Sequence, residues 1–447
     1  MKKYVFIVAV FLGVSNLLAQ DQQLPTLTFE EAVKIGLEKN VNLNTQRNTL
    51  YGNQALKTGS LAAYLPSITA GAGTSYYVGP GTDPNNGNFI TQHSYSTNGS
   101  LTANLILFQG FARINTFKRY DNQLMAQASA IERARQDAVY NVANQYLLVL
   151  LDQELLRIAE ENKVAQQTLY DQIKGNVELG AKPQADQFNQ EAQVKIFEVA
   201  EIRARVTLQN DKSLLAQLLQ LDPSKDFQVA KPTWTTDTQL LTSTNMDQLY
   251  ATALSSRPDL KQSIFQINAN KYAMKAATAG YMPTINAQVQ TGSQYSSLLV
   301  PAYGVFENQF PKLKNTQYFA GINIPIFDRL VTRTNRIQAK VLYENSILTK
   351  ENLEKTVKID VQRAFKNYQA ALENYNASQA QFNAGDLALK VQKESYELGI
   401  ASQLSLAQAN QIYVQGAASK AQAEVTLMFQ KVLLDYAMGT LNPDSFN

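Results

Sequence analysis

The sequence predicts a mixed fold in which long antiparallel α-helical hairpins are joined to four membrane-spanning β-strands, all within two tandem structural repeats. Three observations predict it. Landmarks recur in one order at nearly constant spacing, two segments of about sixty residues lack both Gly and Pro, and short runs alternate apolar with small or polar residues.

Composition narrows the function before any motif is read. Of 447 residues only 17% are charged, below the roughly 25% usual for soluble domains. The formal charge of +3 gives no extended surface for nucleic acid. Absence of cysteine removes disulfides, thiolate metal sites, thiol nucleophiles and a lipidated N-terminal Cys. A single histidine, His93, leaves little for imidazole metal sites or catalytic triads. No cofactor or metal is expected.

The N-terminus reads as a secretory signal peptide. Lys2 and Lys3 precede an apolar run from Tyr4 to Val14, and Ala19 is the small residue before an expected cut. The run is too short to span a bilayer, and no later stretch approaches 18 uninterrupted apolar residues.

The repeat then follows. Thr28-Phe-Glu-Glu31 opens a short helix, and Asn245-Met-Asp-Gln248 opens its counterpart, each with capping-box chemistry. Ala63-Tyr64-Leu65-Pro66 returns as Gly280-Tyr281-Met282-Pro283 at an offset of 217. Glu178-Leu179-Gly180 returns as Glu397-Leu398-Gly399 at 219, and Leu221-Asp222-Pro223 as Leu441-Asn442-Pro443 at 220.

After each Tyr-x-Pro step comes a hairpin. Ile68, Ala70, Ala72, Thr74, Tyr76 and Val78 alternate with small or polar residues, and Leu101, Ala103, Leu105 and Leu107 do so beyond a Gly/Pro/Asn-rich loop, Gly79 to His93. Ile285, Ala287 and Val289 alternate in the second repeat, and Tyr318, Ala320, Ile322 and Ile324 follow a loop from Leu299 to Asn315. Period-two runs of about ten residues fit spanning strands, but they also fit a soluble hairpin on a core. His93 is read as a loop residue near an extracellular turn.

Each hairpin leads into helix. Phe111–Lys174 is 64 residues without Gly or Pro, and Ile326–Ala384 is 59. At 1.5 Å per residue the first would be about 96 Å long, far beyond a globular helix. Its seams are rich in Gln, Asn and small residues, as a helical wall around water would be. The chain therefore divides into a signal peptide (1–19), a first repeat (20–223), a linking segment (224–244) and a second repeat (245–447). Strands are expected at about 67–78, 94–108, 284–298 and 316–326. Long helices are expected at about 111–176, 184–222, 328–398 and 402–438.

In this order the residues resemble the TolC-like outer-membrane efflux proteins, from about Leu27 to Pro443. The pieces that carry the resemblance are Leu27-Thr-Phe-Glu-Glu-Ala-Val, Arg257-Pro-Asp-Leu260, the two Tyr-x-Pro steps and the two Leu-Gly turns. It implies a trimer with a twelve-stranded β-barrel in outer-membrane lipid and an α-helical barrel across the periplasm. It also implies docking to a periplasmic adaptor and an inner-membrane pump, which in this family mainly selects the cargo. Two departures stand out: a very short tail after Pro443, and no lipid-attachment Cys.

Association follows independently from strand number. Four strands cannot sit in lipid with open edges, and spanning barrels begin at about 8 strands. Two copies would close geometrically as three would, so the number three is what the resemblance supplies. A coiled-coil stalk or adhesin, the competing reading, leaves the duplicated hairpins unexplained and predicts heptads that are absent. An enzyme is not expected. The neighbouring carboxylates Glu30/Glu31 and Glu160/Glu161 diverge by about 100° on a helix, and Gly71-Ala-Gly73 lacks the rest of a dinucleotide loop.

The resemblance also assigns sites. Leu179, Gly180, Leu398 and Gly399 match the periplasmic tips expected to face the adaptor, although both glycines equally suit ordinary helix C-caps. At the periplasmic gate, Ser405 and Gln408 occupy positions that are acidic in the family, and Ala401 replaces an arginine. Asp186 keeps an acid in the first repeat, and Tyr396 matches a gate tyrosine. The resemblance therefore implies a Tyr396–Asp186 latch, while Asp186 could alternatively serve its helix N-terminus.

Overall fold

The computed structural model describes residues 26–82, 87–222, 224–232 and 245–446. The expected signal peptide and much of the linking segment lie outside these.

Strand β1 (Thr26–Leu27) leads into α1 (Phe29–Lys39) and α2 (Val41–Ala62). The α1 capping box is complete: Thr28 Oγ1 accepts from the Glu31 N–H at 3.2 Å, and Glu31 Oε2 accepts from the Thr28 N–H at 3.0 Å. The hairpin β2 (Ser67–Thr82) and β3 (Phe89–Gln109) precedes α3 (Ala112–Glu178), which returns as α4 (Gln184–Leu218), followed by β4 (Gln228–Val229). The second repeat comprises α5 (Met246–Ser256), α6 (Pro258–Ala277) and β5 (Thr284–Ser296). Two short helices, α7 (Val300–Tyr303) and α8 (Phe306–Lys312), come next, then β6 (Asn315–Asn323), α9 (Val331–Glu397) and α10 (Gln403–Met438). Helices α3 and α9 are both 67 residues long, so the sequence repeat is also a repeat of form.

Several boundaries differ from expectation, each for a local reason. The β2–β3 ladder continues through Pro80↔Thr91 to Thr82↔Phe89, past the expected ends. Proline is tolerated because β2 is an edge strand whose outer side has no partner among the described residues. His93 therefore lies in β3 opposite Val78 rather than in a loop, and shares a 2.8 Å hydrogen bond with the Tyr76 hydroxyl. Strand β5 stops at Ser296 because Gln309 takes both backbone groups of that residue. Strand β6 ends at Asn323, just before Pro325, which has no N–H to give. The expected loop 299–315 contains α7 and α8. Helix α4 ends near 218 instead of 222, because Gln220 turns left-handed (φ 52°) and the Leu221 N–H folds back to the Ala216 carbonyl. In the second repeat Asn245 caps through the Asp247 N–H, and Gln248 does not return the bond.

The sheet order is β2-β3-β5-β6, all antiparallel. Its register sorts the side chains by face. Ile68, Ala70, Leu101, Ala103, Ala287, Val289, Tyr318 and Ala320 share one face, while Thr69, Thr102, Asn104, Gln288, Gln290 and Gln317 share the other. Among the described residues no helix is long and apolar enough to cross a membrane.

Two cores brace the helices at their middle. Phe29 and Val33 of α1 pack on Val139, Val142 and Tyr146 of α3, with Leu215, Leu219, Val229 and Leu441 closing around them. The buried Tyr146 hydroxyl donates across to the carbonyls of Leu27 (2.9 Å) and Ala230 (2.6 Å), which ties the β1–β4 pair to α3. In the second repeat Leu249 and Leu260 meet Val357, Val361, Phe365 and Tyr368 of α9 and Leu434 of α10. The buried Arg257 joins this core to the end of α10. It pairs with Asp259 at 2.6 Å and donates to the Ala437 carbonyl at 3.2 Å. Gly439 (φ 72°) passes so close that a Cβ there would lie 2.8 Å from the Arg257 Cα.

Candidate functional site

The far ends of the two helical hairpins form the candidate site. Both turns close by the same device. Gly180 (φ 75°) donates to the Val177 carbonyl and Ala181 to Asn176, while Gly399 (φ 76°) donates to Tyr396 and Ile400 to Ser395. These are paired Schellman bonds, in which a left-handed residue at low cost needs glycine. Each turn lifts a leucine into solvent: Leu179 is 83% exposed and Leu398 75%. An apolar side chain held outward at a rigid turn is suited to burial by a partner.

Behind the turns the hairpins meet in a cleft of about 950 Å³, walled by Leu179, Lys182, Gln190, Tyr396, Gly399 and Gln403 among others. Tyr396 is buried with Ile173 and Leu406. The Lys182 ammonium stands 3.5 Å from the centre of its ring. From α10, Gln403 Nε2 donates to the Asp186 backbone carbonyl (3.0 Å) and to Gln190 Oε1 (3.3 Å). The buried Gln190 in turn donates to the Gln166 backbone (3.1 Å) and side-chain (2.8 Å) oxygens. A ladder of neutral amides thus runs from α3 through α4 to α10.

The gate residues expected from sequence are dispersed within this arrangement. Asp186 lies in the first turn of α4, and only its backbone carbonyl joins the cross-hairpin bonding. The Tyr396 hydroxyl is buried and makes no hydrogen bond, so the implied Tyr396–Asp186 bond is absent within the chain. The reason is steric placement: the Tyr396 ring turns inward to Ile173 and Leu406 and is capped by Lys182. Ser405 is engaged with its own N-cap, its N–H donating to Ser402 Oγ at 3.2 Å. Gln408 is exposed.

At the opposite end the sheet contributes an apolar face, a polar face and two edge strands, β2 and β6. The duplicated arrangement of hairpin and paired helices matches the outer membrane efflux protein family over residues 59–220 and 249–440, most of both repeats.

The chain belongs to the outer membrane efflux protein family.

Outer membrane efflux protein BepC of Brucella suis is 22% identical to it over 98% of this chain and 90% of that protein. A membrane protein of Pseudomonas aeruginosa has the same fold, with a TM-score of 0.78 at 19% identity over 92% of this chain and 90% of the other. The CmeC outer membrane channel of Campylobacter jejuni likewise gives 0.78 at 15% identity, over 92% and 85%. The fold is thus the efflux-channel fold, a helical hairpin body joined to a strand domain, and the chain is an efflux channel of the outer membrane.

Sequence reasoning missed the residues that hold this efflux channel's tip together. Lys182 lies two residues after Gly180 of the first Leu-Gly turn, and Gln403 lies two residues before Ser405. The Gln-rich seams gave a general signal of wet helix contacts, but no spacing rule picks Gln166, Gln190 and Gln403 from the other glutamines.

Proposed function

We propose that three copies of the chain assemble into the exit duct of a tripartite efflux system. Each copy contributes four strands to a twelve-stranded barrel and two hairpins to a tube extending into the periplasm. The observation that carries this is the sheet: one face mainly apolar, the other mainly Gln, Asn, Ser and Thr with Tyr77 and Phe319 among them, and both edges, β2 and β6, unpaired among the described residues. Open edges are not tolerated in lipid, and closure between copies supplies the missing bonds. With 67 residues, α3 reaches about 100 Å, enough for a long periplasmic extension.

In this reading the exposed Leu179 and Leu398, with Gly180 and Gly399, meet a periplasmic adaptor that links the duct to an inner-membrane pump. Asp186, Tyr396, Ser405 and Gln408 surround the periplasmic gate, and the Lys182–Tyr396 contact and the amide ladder restrain it by tying the two hairpins together. Light scattering in mild detergent tests the assembly and planar-bilayer recording tests the conduit. A trimer with a discrete conductance is expected; a monomer that does not conduct overturns the proposal.

A further inference from the structure

The loop between β5 and β6 folds back onto the sheet. Helix α8 lies against β3 and β5, and its Phe310 occupies the space above Gly99, where a Cβ would come within 3.1 Å of the ring. Ser293 Oγ donates to the Phe310 carbonyl. Gln309, fully buried, locks the loop: its amide donates to Ser296 (3.0 Å) and Gly304 (2.6 Å), and its oxygen accepts from the Ser296 N–H. Phe306 stacks on Phe310 with centroids 5.0 Å apart and meets Tyr295 edge-on at 5.6 Å.

The face that α8 covers is decisive. Gly99 pairs with Ala72 and Ser293, in register with Ala70, Leu101, Ala103, Val289 and Tyr318, which is the apolar face. The long helices leave from the other end of the strands, so α8 sits at the extracellular end. Tyr76 stacks on Tyr95 at 4.4 Å a few residues closer to the rim, an aromatic band of the kind found where lipid meets water. Under α8 a groove of about 350 Å³ opens on this face, lined by Gly99, Leu101, Thr291, Phe310, Pro311 and Lys314. Lys314 lines the groove and Lys312 follows its lining residue Pro311 in sequence; both are exposed, and neither forms an ion pair among the described residues.

We propose that this groove and its two lysines form a binding site for a phosphate-bearing glycolipid of the outer leaflet. An acyl chain enters the groove beside Phe310, continuous with the lipid-facing sheet, and the headgroup phosphates meet Lys312 and Lys314. Charge complementarity selects an anionic headgroup, and the apolar lining selects a lipid over a free anion. The site lies over β3 and β5, in the interior of the sheet, so pairing of β2 and β6 between copies leaves α8 uncovered. The inference rests on the apolar face being the lipid face of the channel.

Native mass spectrometry on the detergent-purified channel tests this by counting bound lipid. Bisphosphorylated lipid A is expected to remain bound, and its dephosphorylated form to be lost. At about a fivefold contribution per surface lysine, K312Q with K314Q should weaken retention roughly 30-fold. Gly99→Leu should also weaken it, by lifting Phe310 from its seat. Equal binding of the two lipids, or retention by the double variant at the wild-type level, would overturn the proposal. So would displacement of the lipid by millimolar inorganic phosphate. Lipid counts on purified protein are read independently of whether the chain supports export.

Discussion

Lys182, in the turn between α3 and α4, caps the ring of Tyr396, near the end of α9, with its ammonium 3.5 Å from the ring centre. The contact crosses from one hairpin to the other. It occupies the place where the family resemblance implies a tyrosine–carboxylate bond, and the Tyr396 hydroxyl is left with no hydrogen bond.

The two chemistries make opposite predictions for the gate. A cation–π contact from a half-buried lysine contributes about 0.5–1 kcal/mol, so Lys182→Met should raise open probability modestly in bilayer recordings. Tyr396→Phe keeps the ring and removes only an unpartnered hydroxyl, so it should gate as wild type. An opening caused by Tyr396→Phe and not by Lys182→Met would restore the carboxylate latch.

The amide ladder should be insensitive to salt and pH, because none of its members is charged. Gln403→Leu removes two donated bonds and leaves Gln190 Oε1 without a donor in a buried position. The expected cost is about 1–3 kcal/mol of tip closure, read as a larger conductance that persists at high salt. A conductance unchanged by the substitution would mean that the ladder does not restrain the tip.

Leu179 and Leu398 bury little of themselves within the chain. Leu179→Asp with Leu398→Asp should therefore leave the thermal unfolding midpoint and the yield of assembled channel unaltered while abolishing export in cells. Export at the wild-type level would remove these residues from the adaptor contact.

Asp152 on α3 gives the helical body a pH dependence. Burial first, and then a hydrogen bond to Asp211 and that group's charge, push its carboxyl up to about 7. Its Oδ2 is buried without a partner. In the unfolded chain the group titrates near 3.9, so between about pH 4 and 7 the folded state holds the extra proton. This contribution to stability is complete below about pH 4 and is lost as pH rises to 7. Thermal unfolding should show Asp152→Asn gaining on wild type from pH 5 to pH 8, and parallel melting curves would refute the assignment.

Gly439 has a backbone role. Its φ of 72° and the 2.8 Å approach of a would-be Cβ to Arg257 mean that alanine meets two penalties. The left-handed backbone alone costs about 1–2 kcal/mol. A lower unfolding midpoint is expected for Gly439→Ala, with the channel's conductance intact in the folded fraction.

The sequence by itself determined the repeat, the strand pairs and the long helices. Those features are written in local periodicity and in the absence of Gly and Pro, which act on neighbouring residues whatever the rest of the chain does. Landmarks such as Thr28 and Gly180 were legible because a cap or a left-handed turn is a property of a few adjacent residues. Tertiary structure alone decided that Tyr396 turns inward under Lys182, that Gln403 reaches Gln190 across hairpins, and that Phe310 settles on Gly99. Gln403 and Gln190 are 213 residues apart, and Phe310 and Gly99 are joined only through the strand register. Such contacts depend on how whole helices and strands align, and a one-residue slip would replace every one of them with no change in the local pattern.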